Sequence, residues 1–151
     1  MEFKNIKTED RQNFMDLLLI ADPDKNVVLE YIDEGTLIAM MDEERCIGVC
    51  HYKNTAEKEV EIMNIGVIEA VRGKGYGKQL LQYTIAHIKH EKKTRIILGT
   101  GNSSIGNIAF YQKSGFDLFE LWHHYFVDKY KEEIFEDGIQ CKHMLRFEYI
   151  L

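Results

Sequence analysis

The spacing of hydrophobic and polar positions changes along the chain, and each period predicts an element. Glu2 to Ile6 reads as a short first strand. Thr8-Glu9-Asp10 precedes Phe14, Leu17, Leu18 and Ala21, the pattern of a capped helix with one apolar stripe. Pro23 ends it, and Val27 to Ile32 predicts a short second helix stopped by Gly35. Apolar, partly β-branched runs then flank Asp42-Glu43-Glu44-Arg45. They predict a hairpin of strands Thr36 to Met41 and Cys46 to Tyr52. Lys53 to Lys58 reads as a polar turn and Val60 to Val67 as another strand. Beyond a glycine cluster, Leu80, Leu81, Thr84, Ile85 and Ile88 recur on one helical face. Lys89, Lys92 and Lys93 follow where the negative end of that helix favours cations.

Arg95 to Leu98 is a nearly uninterrupted apolar run, the type buried on both faces. Strand, helix and strand in this order predict a βαβ crossover joining two parallel neighbours. A further helix is predicted from Ser104 to Lys113, capped by Asn102 or Ser103 and closed by Ser114-Gly115. Phe116 to His123 and His143 to Tyr149 read as strands. Val127 to Gly138 between them is a charged, tyrosine-bearing excursion of one helical turn and a loop. No linker, repeat or biased segment interrupts residues 1–151. The fold class is therefore mixed α/β (α+β), a single domain around one central sheet.

Composition narrows the function. The chain has 151 residues, 45% of them hydrophobic, with one Pro, which is enough apolar matter for a sizeable core and too much for disorder. Nineteen basic against 25 acidic residues give a net charge of −6, without the basic excess of a nucleic-acid binder. Cys46, Cys50 and Cys141 are too few and odd in number for a disulfide framework, and no second close pair completes a zinc set. They predict reduced thiols in a cytoplasmic protein. No run reaches the length of a membrane helix and no apolar signal core follows Met1.

The most telling segment is Arg72-Gly73-Lys74-Gly75-Tyr76-Gly77-Lys78, between a strand and a long amphipathic helix. Glycines let the backbone approach a ligand closely. The turn feeds a helix start whose unpaired N–H groups favour an anion, and three cations lie beside it. This predicts a phosphate or pyrophosphate cradle. A Walker loop would need Gly at Arg72 and Ser or Thr at Gln79, and a dinucleotide G-x-G-x-x-G would need Gly at Leu80 or Lys78, so both fail. Arg-x-x-Gly-x-Gly after Ile65-Gly66-Val67 resembles the acetyl-CoA signature of the GCN5-related N-acetyltransferase (GNAT) superfamily. Asn107 to Phe116, ending in Tyr-x-x-x-Gly-Phe, is similar to that family's later helix.

The resemblance implies a central, mostly antiparallel sheet with a splayed parallel strand pair, flanked by about four helices. It implies acetyl-CoA as co-substrate, its pyrophosphate on the amides of Arg72, Gly73, Lys74, Gly75, Tyr76, Gly77 and Lys78. Pantetheine would pair as an extra strand along Ile65 and Val67, with the Val67 N–H polarising the thioester carbonyl. Tyr111 matches the tyrosine that protonates the departing thiolate. Glu61 stands where histone-type members carry a base, with ordered water as the other route and Asn64 and Glu69 as neighbours in a relay. The family's pantetheine-contacting Asn falls on Ser104 here, with Asn102 and Asn107 flanking it. The usual Pro before the loop is missing from Ile68 to Val71.

Other residues carry less. His87 and His90 share a helix face but have no third ligand. Adjacent His123 and His124 on a strand would point to opposite faces and not chelate together, so no metal is expected. Tyr125, Asp128 and Tyr130 are candidates for the acceptor site, as is one of that histidine pair. Cys141 could carry an acyl group, against the family's direct route, and Trp122 reads as a packing or dimer-surface aromatic. The sequence thus points to transfer from acetyl-CoA to a primary amine, with Asp128, Glu132, Glu133, Glu136 and Asp137 favouring a cationic acceptor. A non-catalytic acyl-CoA sensor is the alternative, and a nucleotide binder a third reading. The C-terminal strands point, by analogy with the family, to a homodimer; no nucleic-acid or membrane partner is expected.

Overall fold

Glu2–Asn5 (β1) pairs antiparallel with Thr36–Asp42 (β2), setting Phe3 opposite Met40. In the computed structural model, which describes residues 1–151, these strands belong to the first of two compact units, 1–94 and 95–151. In this first unit β2 pairs antiparallel with Arg45–Ala56 (β3), and β3 with Glu59–Val67 (β4). The polar stretch expected to be a turn is instead the end of β3. Lys53, Asn54 and Ala56 pair with Glu61, Val60 and Glu59. Cross-strand pairing with a neighbour overrides the low strand preference of these residues.

The predicted first helix splits. Thr8–Phe14 is 3₁₀ and Met15–Ala21 (α1) follows it, while the predicted second helix is Lys25–Tyr31 (α2). Lys7 offers no side-chain cap to the 3₁₀ turn, whereas Asp24 caps α2 by accepting from the Asn26 N–H at 2.9 Å. The 3₁₀ geometry places Arg11 inward, 4% exposed. Its guanidinium donates to the carbonyls of Ile6, Ile32, Glu34 and Gly35 at 2.7–3.2 Å. Three of these carbonyls lie past the end of α2, where the helix leaves acceptors unpaired. Gly35 itself sits at φ 56°, and a Cβ there would overlap the Tyr52 carbonyl.

Leu18, Val28, Tyr31, Ile32, Leu37, Ala39 and Val49 form the core between α1, α2 and their face of the sheet. Tyr76–His90 (α3) covers the other face, burying Leu80, Leu81, Thr84 and Ile88. The approach is close: a Cβ on Gly48 would stand 2.9 Å from Val67 Cγ1 and 3.2 Å from Leu80 Cδ2. The two faces of β3 are told apart by partners, with His51 directed to Glu34 and Tyr31 and Tyr52 to Glu91 on α3's end.

In the second unit, Met144–Ile150 (the last strand, β9) lies between Arg95–Gly101 (β5) and Asp117–Trp122 (β6), antiparallel to both. Ile96, Ile97 and Leu98 are all buried, as their unbroken apolar run required. Ile105–Lys113 (α4) ends in a Schellman motif. Gly115 takes φ 99° and donates to Gln112, and the Phe116 N–H reaches back to the Tyr111 carbonyl at 3.0 Å. The rings of Phe116 and Tyr111 meet edge-on, 6.0 Å between centroids. The Tyr-x-x-x-Gly-Phe pattern is therefore a helix stop with its hydrophobic clasp.

The charged excursion has more structure than its polarity predicts: Tyr125–Lys129 (α5), then a hairpin of Ile134–Glu136 (β7) and Ile139–Cys141 (β8). Asp137 and Gly138, both at positive φ, form its two-residue turn. The chain is mixed α/β, with a mostly antiparallel sheet, one parallel strand pair and five α-helices where about four were expected. No helix is long and apolar enough to cross a membrane.

Gly115→Ala should destabilise the protein by about 1–2 kcal/mol, the cost of a Cβ in the left-handed region, read from denaturant midpoints at unchanged m. His51 supplies a pH test. Buried, with Nε2–H donating to the Glu34 carbonyl at 2.7 Å, its ring is pushed down to about 4, chiefly by desolvation. The unfolded chain takes up that proton first as pH falls. Stability should therefore be full above pH 6.5 and decline by up to roughly 3 kcal/mol towards pH 4. His51→Gln should flatten that limb of the stability profile, and an unaltered slope would assign the acid lability to other groups.

Candidate functional site

Helix α3 begins at Tyr76 behind Gly75, which occupies the N-cap at φ 85° and has no side chain to cap with. The first rung of its ladder is the Gln79 N–H donating to the Gly75 carbonyl at 3.1 Å. The N–H groups of Tyr76, Gly77 and Lys78 precede that rung, at the end where the helix dipole amounts to roughly half a positive charge. Gly73, at φ 75°, gives the loop its second left-handed residue. A Cβ built on either Gly73 or Gly75 meets nothing within 4 Å, so open space surrounds this backbone. Arg72, Gly73, Lys74, Gly75 and Lys78 are exposed, and Tyr76 and Gly77 half-buried. The donor set, the space and the three cations fit a diphosphate.

Strand β4 leads to this loop through the 3₁₀ turn Glu69–Val71. The Ile68 N–H donates to the Ile47 carbonyl on β3 at 2.9 Å. Because N–H directions alternate along a strand, those of Val67 and Ile65 point away from β3. A bulge falls between the Asn64 and Ile62 pairings of β4. Glu61, half-buried opposite Lys53, thus shares the α1/α2 face of the sheet with Asn64. Asn64 is 4% exposed, and its Nδ2 donates to the Leu18 carbonyl at 2.7 Å and the Tyr31 hydroxyl at 3.0 Å. Glu69, the other relay candidate, is exposed in the 3₁₀ turn.

In the second unit, Tyr111 is 7% exposed, its ring among those of Phe110, Phe116 and Phe147. Core packing fixes the orientation of the phenol. The three pantetheine candidates differ sharply. Asn102 is committed: its Oδ1 accepts from the Lys142 and His143 N–H groups at 2.7 and 2.9 Å, and its Nδ2 donates to the Gln140 carbonyl. Ser104, at the N-cap of α4, makes no side-chain cap; it and Ser103 donate to Glu136 Oε1 at 2.8 and 2.9 Å. Asn107 is exposed on the first turn of α4. Neither Asn102 nor Ser103 caps the helix as the sequence predicted, because both side chains serve the excursion.

Residues outside the expected site also sort clearly. Burial pushes the Cys50 thiol up to about 12 and raises those of Cys46 and Cys141, which makes them poor nucleophiles. His87 stands 3.6 Å from Glu91 and stacks with Tyr83. Trp122 lies under the Arg146 guanidinium, 4.1 Å from ring centre. An open cleft of about 390 Å³, lined by Thr36, Tyr52, Lys53 and Glu91 among others, shares no residue with the glycine loop.

One expectation is overturned. Strand β6 stops at Trp122, and His124 turns left-handed at φ 59°. The alternation that would separate His123 from His124 therefore does not extend to them. Their rings lie 3.8 Å apart, and both approach His143. Partial desolvation and the neighbouring His123, His124 and Lys142 hold the His143 imidazole below its usual value.

The model of the Acetyltransferase (GNAT) family matches residues 3–116 of this chain. An uncharacterized N-acetyltransferase, YvbK of Bacillus subtilis (strain 168), is 41% identical over 138 residues, covering 91% of this chain and 89% of the relative. Two solved structures superpose over 99% of the chain. A GNAT family acetyltransferase from Elizabethkingia anophelis with acetyl-CoA bound has 33% identity, 97% coverage of that chain and a TM-score of 0.94. A Bacillus subtilis acetyltransferase in complex with CoA has 39% identity, 98% coverage and a TM-score of 0.93.

Proposed function

Because this chain belongs to the GNAT acetyltransferase family and is an acyltransferase, we propose that it moves the acetyl group of acetyl-CoA onto a primary amine by direct attack in a ternary complex. The observation that carries the reading is the uncapped start of α3, with open space over Gly73 and Gly75 and Arg72, Lys74 and Lys78 alongside. The amides of residues 72–78 hold the diphosphate, where dipole and cations act together.

Ile65 and Val67 present main-chain groups away from β3, and this supports pairing with the pantetheine amides. The Val67 N–H polarises the thioester carbonyl as the amine nitrogen forms its bond to the carbonyl carbon. The bond to sulfur breaks, and Tyr111 gives its phenol proton to the leaving thiolate. The ammonium proton departs through Glu61 or through ordered water. Asn107, exposed near the start of α4, is the freest of the three pantetheine candidates, since Asn102 and Ser104 already hold partners.

The acceptor is a small amine or a peptide amine, cationic in keeping with the net charge of −6. Asp128, Glu132, Glu133 and Asp137 remain candidates to attract it, whereas Glu136 is engaged with Ser103 and Ser104. Three unpaired thiols suit a reducing compartment, the cytoplasm. The chain works as a homodimer: all six residues of β6 are exposed, Leu118, Leu121 and Trp122 included. A sedimentation profile of monomers alone would remove that element.

Release of free thiol from acetyl-CoA with a panel of amines tests the reaction. Transfer to at least one amine is expected; tight CoA binding with no release for any amine favours a sensor, and stabilisation by ATP equal to that by CoA favours a nucleotide binder. Gly75→Val should abolish measurable CoA affinity and leave the fold intact, because its Cβ meets nothing of the chain and the backbone cost is about 1–2 kcal/mol. Normal CoA affinity in that variant would remove the cradle. Tyr111→Phe should lower turnover by ~10²-fold or more with CoA affinity nearly unchanged, and full activity at neutral pH would return Tyr111 to a purely packing role.

A further inference from the structure

His123, His124 and His143 take no part in the transfer step proposed above, although one of the first two is an acceptor-site candidate and Asn102 bonds to the third. Two are exposed and one half-buried, and one ring nitrogen from each lies within 4.8 Å of the others. We propose that this cluster is a binding site for a single divalent transition-metal ion of the zinc type, clipping the start of the 124–143 excursion to its end.

The surrounding backbone is built to hold the three rings together. His143 is fixed from both sides by Asn102, whose N–H donates to the His143 carbonyl at 3.0 Å while its Oδ1 accepts from the His143 N–H. The Phe126 N–H donates to the Lys142 carbonyl at 3.0 Å, tying α5 to the same segment. His124 adopts a left-handed conformation that a non-glycine residue enters at a cost of about 1–2 kcal/mol. That conformation brings its ring beside His123 and turns its own N–H towards His143 Nδ1, 2.9 Å away. The backbone bonds of Asn102 and Phe126 keep residues 124 and 143 adjacent, whereas the His124 N–H bond to the ring is given up on ligation.

Three imidazoles with no carboxylate or thiolate in the set select zinc, copper or nickel over magnesium or calcium. Nitrogens bound at ~2.0–2.1 Å around a tetrahedral ion stand about 3.4 Å apart. Rotation of the exposed His123 and His124 side chains closes the present separations. The fourth position opens to water. Ligation by His143 uses the lone pair on Nδ1, or the one on Nε2 after the ring proton shifts to Nδ1. In either case the bond from the His124 N–H opens and a metal–nitrogen bond replaces it, with no net proton change on a neutral ring. The opposing field comes from Lys142 and Arg146, which flank the cluster in sequence and add charge but no ligands.

The test is calorimetric titration of the intact protein with Zn²⁺ alone, together with amide NMR. One ion per chain is expected, with the His124 amide resonance moving as it loses its acceptor. His123→Ala, His124→Ala and His143→Ala should each weaken binding by ~10-fold or more. The double variant His87→Ala/His90→Ala should bind as the parent does, and circular dichroism confirms that each variant is folded. No binding at millimolar Zn²⁺, affinity unchanged in folded His143→Ala, or loss confined to the His87/His90 variant would each overturn the proposal. None of these outcomes touches CoA binding, so the site stands or falls apart from the transferase reading.

Discussion

A helix that starts without a side-chain cap has to find other partners for its first N–H groups, and at α3 the N-cap residue supplies none. Gly75 in the left-handed region has no side chain to turn back, and Gly73 keeps the preceding turn open. A Ser or Asp at that position would satisfy the helix and close the site to an anion. The domain accepts an under-stabilised helix start, offset by the burial of Leu80, Leu81, Thr84 and Ile88 along the same helix. Gly48 lets that burial be close. The glycine loop and the core are thus two ends of one element, and the packed end holds the open one in place.

The same division runs through the second unit. Tyr111 has its backbone locked by the Schellman closure at Gly115 and Phe116, and its ring locked by three aromatic neighbours. A phenol asked to deliver a proton gains from this, since orientation is settled before any substrate arrives. Core packing and proton donation are compatible roles for one side chain. The ring body belongs to the core, and the proposed proton donation asks only for the hydroxyl.

Buried polar groups mark where the fold departs from simple layering. Arg11 gathers carbonyls from beyond α2, and His51 takes the Glu34 carbonyl from the other side. Together they give the carbonyls of Ile32, Glu34 and Gly35 donors in the α2–β2 connection. Burial, not the bond to the Glu34 carbonyl, disfavours the charged His51 ring, and so ties the connection to pH.

The sequence by itself determined the strand and helix order outside the 124–143 excursion, the glycine loop and the Tyr-x-x-x-Gly-Phe stop. Each depends on local periodicity or on a residue whose backbone freedom is unusual, as with Gly75 and Gly115. Asp137-Gly138, between Phe135 and Ile139, is a hairpin-turn signal that the charges around it obscure. Tertiary structure alone decided the rest. The 3₁₀ start at Thr8–Phe14 answers to Arg11's distant carbonyls, β3 runs on to Ala56 because β4 pairs with it, and Asn102 holds the segment at 140–143 instead of capping α4. His123 and His124 meet because a single backbone angle breaks the alternation on which their separation depended. Side chains that bond to residues 20 to 40 positions away answer to geometry that no local pattern encodes.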